Sequence, residues 1–539
     1  MQHRLTAFRL RTGRTWPSIA VAGLLTAVCL ALPTRNPTGD AWYYAACSRW
    51  GQELWQPHHL LYNAIGWRWL QLVGASGAAP AGELAITWLQ MLNALAAGAC
   101  LLVLARLLAR AGAPGAAIPA WLLLVGSCFG MLRFATENET YILPLLLALL
   151  ASLAWARASD TLVASWRWLG LAGLLAALAC LVHQLMVWWW LGLLLGLRPW
   201  QGHAGVRLGL VYGLPALVVP VAYGLAAPAS GVAGIVRFAL HDYLTGSARV
   251  ELGGRSLLLT GISVARTVGQ VHGNMGPLLA HWPVGLGLTG LASIGLIVYG
   301  VLGWYGVRAL PHPGSPSPAR GIRRTHALIG GLHLGFAAQA AGNAEFMVML
   351  PALAAIAMAG GRLRAWAPRR VAAVGTALLS WNLAFALLPA HRLVYTGAGP
   401  ALRLRVLRQP AAWFLLRDPN LLRNQLQYYT GRADSAPRIV GLPVRPDKAF
   451  RLWLAARLAA GEVVYTDALG GYRPLDRAQL TQGDGATQTL SGFAARRVDS
   501  IATFFGPYYL TRLGPAAPQT RPSQLPANAS AAVKTGENR

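Results

Sequence analysis

The sequence predicts an all-α protein that crosses a membrane about eleven times and carries a small C-terminal domain of α/β or mixed structure. Of its 539 residues, 55% are hydrophobic and 12% are charged, and the mean hydropathy is +0.43. Soluble proteins usually carry about 25% charged residues. The acidic residues are also unevenly spread, because half of the 18 lie beyond Pro400. The first three quarters of the chain are therefore predicted to face lipid and the last quarter to face water.

The predicted spans follow from apolar stretches, since a spanning helix needs about 17 to 25 mostly apolar residues. They are 17–34, 84–107, 116–132, 139–156, 168–182, 184–198, 207–226, 283–306, 326–342, 346–361 and 371–390. The stretch 168–198 is too long for one span and short for two, which leaves the turn near His183 open. Residues 58–74 are apolar but contain Arg68, and they are predicted to lie at the membrane interface.

Loop arginines predict the orientation, because cytoplasmic loops are enriched in basic residues. With a cytoplasmic N-terminus, every cytoplasmic connection is basic, and Asp160 is the one acid before Pro400 on that side. An odd number of spans then places the C-terminal domain outside. The predicted parts are a multi-pass membrane domain, 1–390, with outer loops 35–83 and 227–282; a periplasmic C-terminal domain, 391–512; and a tail, 513–539, whose Pro, Ala, Ser and Gln content predicts disorder.

Several functional classes are excluded by what the sequence contains. The net charge of +28 does not indicate a nucleic-acid partner, because the arginines lie in short loops between apolar runs instead of on one soluble face. The five cysteines form no CxxC pair and no cluster with zinc-ligand spacing. No Walker motif, GxGxxG or nucleophile elbow occurs in a fitting context, which argues against an enzyme that uses cytoplasmic nucleotides.

Asp40 is the first candidate functional residue. It lies a few residues beyond the first span and begins an aromatic-rich segment, 40–55, that has the composition of a helix lying in the interface. The alternative is structural, with Asp40 as a helix N-cap and an aromatic belt behind it. The residues alone leave both interpretations open.

Two more acids are predicted at the same membrane edge. Glu139 lies at a predicted helix start and Glu345 at a turn. An acid beside apolar spans is costly and often functional, although carboxylates at a helix start also suit the macrodipole. Several arginines predicted on the outer side, including Arg133, are candidates for binding a phosphate. The alternative for each of them is a surface position without a ligand.

This pattern resembles the GT-C superfamily of membrane glycosyltransferases, which includes protein O-mannosyltransferase-like and aminoarabinose-transferase-like proteins. The resemblance covers about residues 15–390 and rests on Gly39-Asp40 after the first span, on Pro57-His58-His59-Leu60-Leu61-Tyr62, on Glu139-x-Tyr141 and on the further spans. Many relatives carry two acids close together in the first loop. Here Asp40 stands alone, with Glu53 much farther on, which leaves the acceptor and any metal requirement open.

The resemblance implies transfer of a sugar, with inversion, from a polyprenyl-phosphate donor to an acceptor at the outer face of the cytoplasmic (inner) membrane. Asp40 matches the catalytic acid and would deprotonate the acceptor hydroxyl. The substrate-binding candidates are Glu139, His58, His59, Tyr62, Arg133 and Glu345. No metal ligand is assigned, and a divalent cation is the one candidate cofactor. The expected partners are the donor, a lipid, glycan or protein acceptor, and membrane lipids, with no nucleic acid.

Two alternatives remain at this point. A polytopic transporter or lipid-carrier flippase favours interrupted helices and ionisable groups near the bilayer midplane, whereas the acids here cluster at one surface. A membrane scaffold or a polysaccharide polymerase is excluded only weakly. An outward cavity lined by Asp40, Glu139 and a basic residue, with a side opening wide enough for a lipid, favours the enzyme, and a central cavity open to both sides favours transport.

Overall fold

The computed structural model divides the chain into two compact units. The first comprises Met1–Thr396 and Asn420–Ser435, and the second comprises Gly397–Pro419 and Ala436–Arg539. The structure describes residues 16–78, 80–158, 166–197, 203–229, 231–245, 253–271, 275–305, 317–340, 342–360, 366–395, 399–432, 438–443, 446–471 and 485–516. Asp160, the acid predicted on the cytoplasmic side, lies outside these residues.

The first unit is helical. Its α-helices are α1 (Trp16–Ala31), α2 (Gly39–Trp50), α3 (Tyr62–Leu72), α4 (Ala85–Arg110), α5 (Ile118–Gly126), α6 (Phe129–Ala135), α7 (Ile142–Ala158), α8 (Trp166–Val182), α9 (Val187–Leu195), α10 (His203–Gly213), α11 (Val218–Ala226), α12 (Val232–Ala239), α13 (His241–Leu244), α14 (Gly254–Val268), α15 (Met275–His281), α16 (Pro283–Tyr305), α17 (Ser317–Gln339), α18 (Leu350–Met358), α19 (Pro368–Asn382) and α20 (Leu388–Arg392). After α21 (Pro400–Arg408), which lies in the second unit, α22 (Pro419–Thr430) returns to the first unit from Asn420 onward.

The predicted fold class is confirmed, because every predicted span overlaps a helix. By length and composition, four described helical segments could cross a membrane: Gly82–Arg110, Val206–Ala226, Pro283–Leu302 and Pro368–Arg392. The pair α5 and α6 passes the same test when both helices are taken as one span. Most of the other predicted spans are shorter apolar helices, α1, α7, α8 and α9 among them. The direction in which the chain crosses the membrane stays a prediction.

The break in the long apolar stretch lies at His183. Helix α8 ends at Val182, and the extended backbone of His183 begins a 3₁₀ turn, Gln184–Met186, that leads into α9. The His183 side chain accepts a hydrogen bond from the backbone N–H of Leu185 at 3.2 Å. This imidazole therefore caps the second helix, in agreement with a structural role for a histidine in an apolar run.

A second break separates α5 from α6, which are bent by 65° at Ser127–Cys128. A bend of this size leaves backbone carbonyls without their helical partners. Asn382, which is fully buried, donates its side-chain N–H to the carbonyl of Ser127 at 2.8 Å. Its side-chain oxygen accepts from the backbone N–H of Gln270 at 2.8 Å, just beyond the end of α14. Asn382 therefore ties α14 to the bend.

The second unit contains a five-stranded sheet of order β2-β1-β3-β5-β4. Its strands are β1 (Trp413–Leu416), β2 (Ile439–Gly441), β3 (Val464–Thr466), β4 (Phe493–Thr503) and β5 (Gly506–Ala516), and its helices include α23 (Lys448–Ala459) and α24 (Gly485–Leu490). Strands β1, β2 and β3 are parallel, whereas β5 pairs antiparallel with β3 and β4. Strand β5 thus continues past Leu513 into the range predicted as a disordered tail, and the rest of that range lies outside the described residues.

Two glycines of α8 test how closely this helix packs on its neighbour. A Cβ atom at Gly173 would overlap the carbonyl oxygen of Tyr212 in α10, whereas one at Gly170 would lie 3.9 Å from the carbonyl oxygen of Val211. We expect Gly173→Ala to lower the unfolding temperature, since overpacking costs about 1–3 kcal/mol. Gly170→Ala should leave it unchanged or raise it slightly, because Ala favours a helix over Gly by about 0.5–1 kcal/mol. Thermal unfolding of the purified protein measures both, and equal behaviour of the two variants would contradict this packing.

Candidate active site

The candidate site is built around a buried loop, Thr136–Tyr141, which joins α6 to α7 and is called the acidic loop below. Glu137 and Glu139 in this loop are only 3% and 4% exposed. Buried backbone carbonyls need hydrogen-bond donors. Asn93 of α4 supplies them, because its side-chain N–H₂ group donates to the carbonyls of Glu137 and of Glu139, at 2.8 Å each.

Thr38 connects the acidic loop to α2. Its hydroxyl donates to Oε1 of Glu139 at 2.5 Å, and its backbone N–H donates to Oε1 of Glu137 at 2.9 Å. The same hydroxyl accepts from the N–H of Ala41 at 3.0 Å, so Thr38 is the N-cap of α2. This excludes the structural alternative in which Asp40 caps the helix.

Asp40 lies in the first turn of α2 and is exposed. Its charge acts on the buried side chains of Tyr44 and Glu139, which places the carboxylate within electrostatic range of the acidic loop. Glu345 acts on the same two side chains. The structure therefore brings three predicted acids, Asp40, Glu139 and Glu345, into one neighbourhood.

The environments of these acids differ. Burial, reinforced by the neighbouring carboxylates of Glu137 and Glu345, raises the pKa of Glu139 well above its usual range. Asp40 is open to water, which solvates a carboxylate. Glu345 is half-buried and accepts a hydrogen bond from the hydroxyl of Tyr141 at 3.0 Å. Two carboxyl groups in different environments are suited to different roles in one reaction.

A cavity with a volume of about 210 Å³ lies beside the acidic loop. Its polar lining includes Asn36, Arg133, Glu137, Arg266, Gln270 and Tyr395, and its apolar lining includes Phe129 and Phe385. Asp40, Glu139 and Glu345 are not among the lining residues. Nε of Arg133 lies 3.2 Å from the carboxylate of Glu137, so this arginine is paired. The charges of Glu139 and Glu345 also act on Arg133, which connects the cavity to these two acids.

Arg266 is the second arginine of the cavity. Its Nε and the side-chain oxygen of Gln270 are both buried and find no hydrogen-bond partner among the described residues. Burial and the positive charge of Arg133 lower the pKa of Arg266 below its ordinary value. A buried donor without a partner is costly, and an anion in the cavity would remove that cost.

Two irregular segments open this cavity. The bend between α5 and α6 turns Phe129 and Arg133 toward it, and a π-helix, Leu383–Leu387, joins α19 to α20 along another wall. π-Helices are rare and occur frequently at functional sites. Asn382, which immediately precedes the π-helix, holds the end of α14 and thereby places Arg266 and Gln270.

Three predicted substrate-binding residues have other partners in the structure. Tyr62 is buried, and its hydroxyl donates to Oδ1 of Asn138 at 2.9 Å within the acidic loop. His59 is buried and packs edge-to-face on His183, with ring centroids 4.4 Å apart. His58 is half-buried, and its Nε2 lies 3.2 Å from the carboxylate of Asp242. Tyr62 positions the acidic loop, and none of the three lines the cavity.

Sequence reasoning missed the helix that packs against α2. The carbonyl of Tyr428 in α22 accepts from Arg49 at 3.2 Å and from Trp50 at 3.0 Å, and its ring lies 5.0 Å from that of Trp42. Asn424 donates its side-chain N–H to the carbonyl of Gly39, next to Asp40, at 2.8 Å. These contacts join segments hundreds of residues apart, so no local sequence motif predicts them.

No group of three or more His, Cys, Asp or Glu side chains is arranged to hold a metal ion in the described part of the chain. The acids of the site have other partners, because Glu139 accepts from Thr38 and Glu345 accepts from Tyr141. We derive no step through a divalent cation.

Asn93 tests how the acidic loop is held. Replacing it with alanine removes the donor from two buried carbonyls, and each unsatisfied group costs about 1–3 kcal/mol. We expect Asn93→Ala to lower the unfolding temperature of the purified protein by several degrees. Leu95→Ala is the matched control, because Leu95 lies on the same helix and is 45% exposed. A loss no larger for Asn93→Ala than for the control would show that the loop does not depend on this side chain.

Comparison with known proteins yields similarity at the level of solved structures. No protein-family model and no curated protein matches the sequence. The apo oligosaccharyltransferase of Archaeoglobus fulgidus is similar with a TM-score of 0.47 and 12% identity, over 85% of this chain and 70% of that chain. ArnT from Cupriavidus metallidurans bound to undecaprenyl phosphate is similar with a TM-score of 0.36 and 13% identity, over 92% of this chain and 97% of that chain. Its apo state gives 0.37 and 14% over the same shares.

Proposed function

We propose that this protein is a membrane glycosyltransferase that moves a sugar from a polyprenyl-phosphate donor to an acceptor hydroxyl at the outer face of the cytoplasmic membrane. One observation carries the proposal: Asp40, Glu139 and Glu345 all act on the buried side chain of Tyr44, and Glu139 and Glu345 also act on Arg133, one of the two arginines of the cavity. Acids that can serve as a base and cations that can hold a phosphate are the two groups that this reaction needs. The acceptor is a lipid, a glycan or a protein.

The donor phosphate is assigned to the cavity between Arg133 and Arg266. Glu137 balances the charge of Arg133 through its contact at 3.2 Å, so Arg266 is the cation that we assign to the phosphate. Its unpartnered Nε supports this role, since charge-assisted hydrogen bonds to phosphate are among the strongest in proteins. The two arginines would also stabilise the charge that the phosphate gains as it leaves.

Asp40 is the proposed general base. It takes the proton of the acceptor hydroxyl while the acceptor oxygen attacks the anomeric carbon of the sugar. The bond between that carbon and the phosphate oxygen breaks, its electron pair leaves with the polyprenyl phosphate, and the anomeric configuration is inverted. General-base catalysis contributes about 10²–10⁴-fold, and lipid phosphate is already a good leaving group.

Glu139 is proposed to orient the acceptor, with Glu345 beside it. The raised pKa of Glu139 favours the protonated form, which can donate a hydrogen bond, whereas a base must accept a proton. This division assigns the exposed Asp40 to proton abstraction and the buried Glu139 to positioning. Thr38 and Asn93 hold Glu139 and so fix its distance from Asp40.

A polytopic transporter or lipid-carrier flippase is the alternative. It would bind the same lipid phosphate at the arginines and would need no base. Turnover of the donor separates the two functions, because a flippase moves the lipid-linked sugar without cleaving it.

The base is tested by Asp40→Asn, which keeps the shape of the side chain but cannot take up a proton at neutral pH. We expect release of polyprenyl phosphate from labelled polyprenyl-phosphate sugars to fall by at least about 100-fold, within the range of general-base catalysis. Glu53→Gln is the matched control, since Glu53 is an exposed acid of the same predicted loop, and it should keep normal turnover. Unchanged turnover in Asp40→Asn would remove Asp40 from the mechanism. A folded wild type that cleaves no donor, with every acceptor class supplied, would favour transport.

The phosphate site is tested by Arg266→Ala. Loss of a charged hydrogen-bond donor costs about 1.5–3 kcal/mol, so we expect kcat/KM for the donor to fall by roughly 10- to 100-fold. Arg255→Ala is the matched control, because Arg255 is an exposed arginine on the same helix, α14. Equal effects of the two substitutions would indicate a general electrostatic contribution and no phosphate site at Arg266.

A further inference from the structure

Helix α14 has an inverted distribution of polar and apolar side chains. Its buried residues are Ser256, Thr260, Ser263 and Thr267. Their spacing places them on one face of the helix. Helices at the surface of a protein in water normally bury an apolar face and expose a polar one. The buried face of α14 is polar throughout.

Three of the four hydroxyls on this buried face donate hydrogen bonds within the protein. Thr260 and Thr267 donate to helix carbonyls one turn earlier, at 2.7 and 2.8 Å, and Ser256 donates to the carbonyl of Ala338 at the end of α17. Gly130 allows α6 to approach α14 closely, because a Cβ atom at this position would lie 3.1 Å from the Thr267 side chain. The polar face is therefore a packing surface against α6 and the end of α17.

The opposite face of α14 is apolar and exposed. Leu257 and Leu258 are each 65% exposed, Ile262 is 48% exposed and Val268 is 37% exposed. A cluster of large apolar side chains facing water is unfavourable and marks an interaction surface. Hydrocarbon is the environment that suits this face, as it does for helices lying at a membrane surface.

Two further observations point to lipid as the occupant. The same unit has another exposed apolar surface that suits lipid, because only 11% of the most apolar stretch of the candidate span Val206–Ala226 is buried inside the protein. Arg255, an exposed arginine at the start of α14, also flanks its apolar face. A long basic side chain lays its aliphatic stem along an apolar surface while its charged end stays in water, as at membrane interfaces.

We infer that the outward face of α14 lies in the hydrocarbon of the outer leaflet and contacts the acyl chains of the membrane. The helix lies within the range 227–282, which the sequence predicts as an outer loop, so this segment re-enters the membrane surface. Arg266 and Gln270 line the cavity, while Leu258 and Ile262 face lipid. Helix α14 therefore lies between the membrane and the cavity, and a lipid-linked phosphate would pass along it to reach the cavity. The last step rests on the proposed function, whereas the placement of α14 does not.

The placement is tested with a fluorescent bimane label on Leu258→Cys, in protein reconstituted into phosphatidylcholine vesicles. The native cysteines are buried or half-buried, so the labelled parent chain gives the background. Vesicles whose acyl chains carry bromine should quench the label at position 258 at least about twofold more than they quench a label on Arg432→Cys, as expected for an apolar face at the acyl boundary. Arg432 is the control because it is exposed at the end of α22. Aqueous iodide should give the opposite order.

Ile262→Cys repeats the measurement on the same face, in case Leu258→Cys does not fold. Iodide quenching of either α14 label as strong as that of the Arg432 label, with no excess quenching by brominated chains, would overturn the inference. The outcome is independent of catalysis. Quenching by brominated lipid in a protein that cleaves no donor would support the placement of α14 and count against the proposed function alone.

Discussion

The candidate site depends on satisfying the backbone of the acidic loop. Two carboxyl groups can lie inside a largely apolar protein only if the peptide groups around them are hydrogen-bonded. One side chain, Asn93, serves the carbonyls of both Glu137 and Glu139, and Thr38 binds both carboxylates while it caps α2. Since Asp40 follows Thr38 by two residues, the interaction that holds the loop also sets the distance from the exposed acid to the buried one.

The cavity lies where helices are irregular, and it is not a gap between regular helices. The bend between α5 and α6 and the π-helix after α19 each disturb the ordinary helical hydrogen-bonding pattern, which costs free energy unless other groups compensate. Asn382 compensates at the bend and also fixes the end of α14. As a result, Arg266 is held at the cavity with a donor atom that no described group uses. The backbone around the cavity is hydrogen-bonded, whereas Nε of Arg266 is not, and this free donor supports an anion site.

The sequence predicts the helical membrane fold well because hydropathy over about 20 residues is a local signal. The length of the apolar stretch 168–198 left the turn near His183 open, and the structure has the break at that residue. The site was harder to predict. Asp40, Glu139, Glu345 and Arg133 could be selected as acids and cations at one membrane edge. The supporting roles of Asn93 and Tyr428, the burial of His59 and Tyr62 and the inverted polarity of α14 depend on contacts between distant segments, which no spacing in the sequence reveals.

We propose that a lipid-linked phosphate binds between Arg133 and Arg266. The most direct measurement is an experimental structure of the wild-type protein with a polyprenyl phosphate. We expect phosphate density within hydrogen-bond distance of the Arg266 guanidinium and a polyprenyl chain that runs along the apolar face of α14. Phosphate density at another site, such as the arginines Arg320 and Arg323 of α17, with the cavity left to solvent, would contradict it.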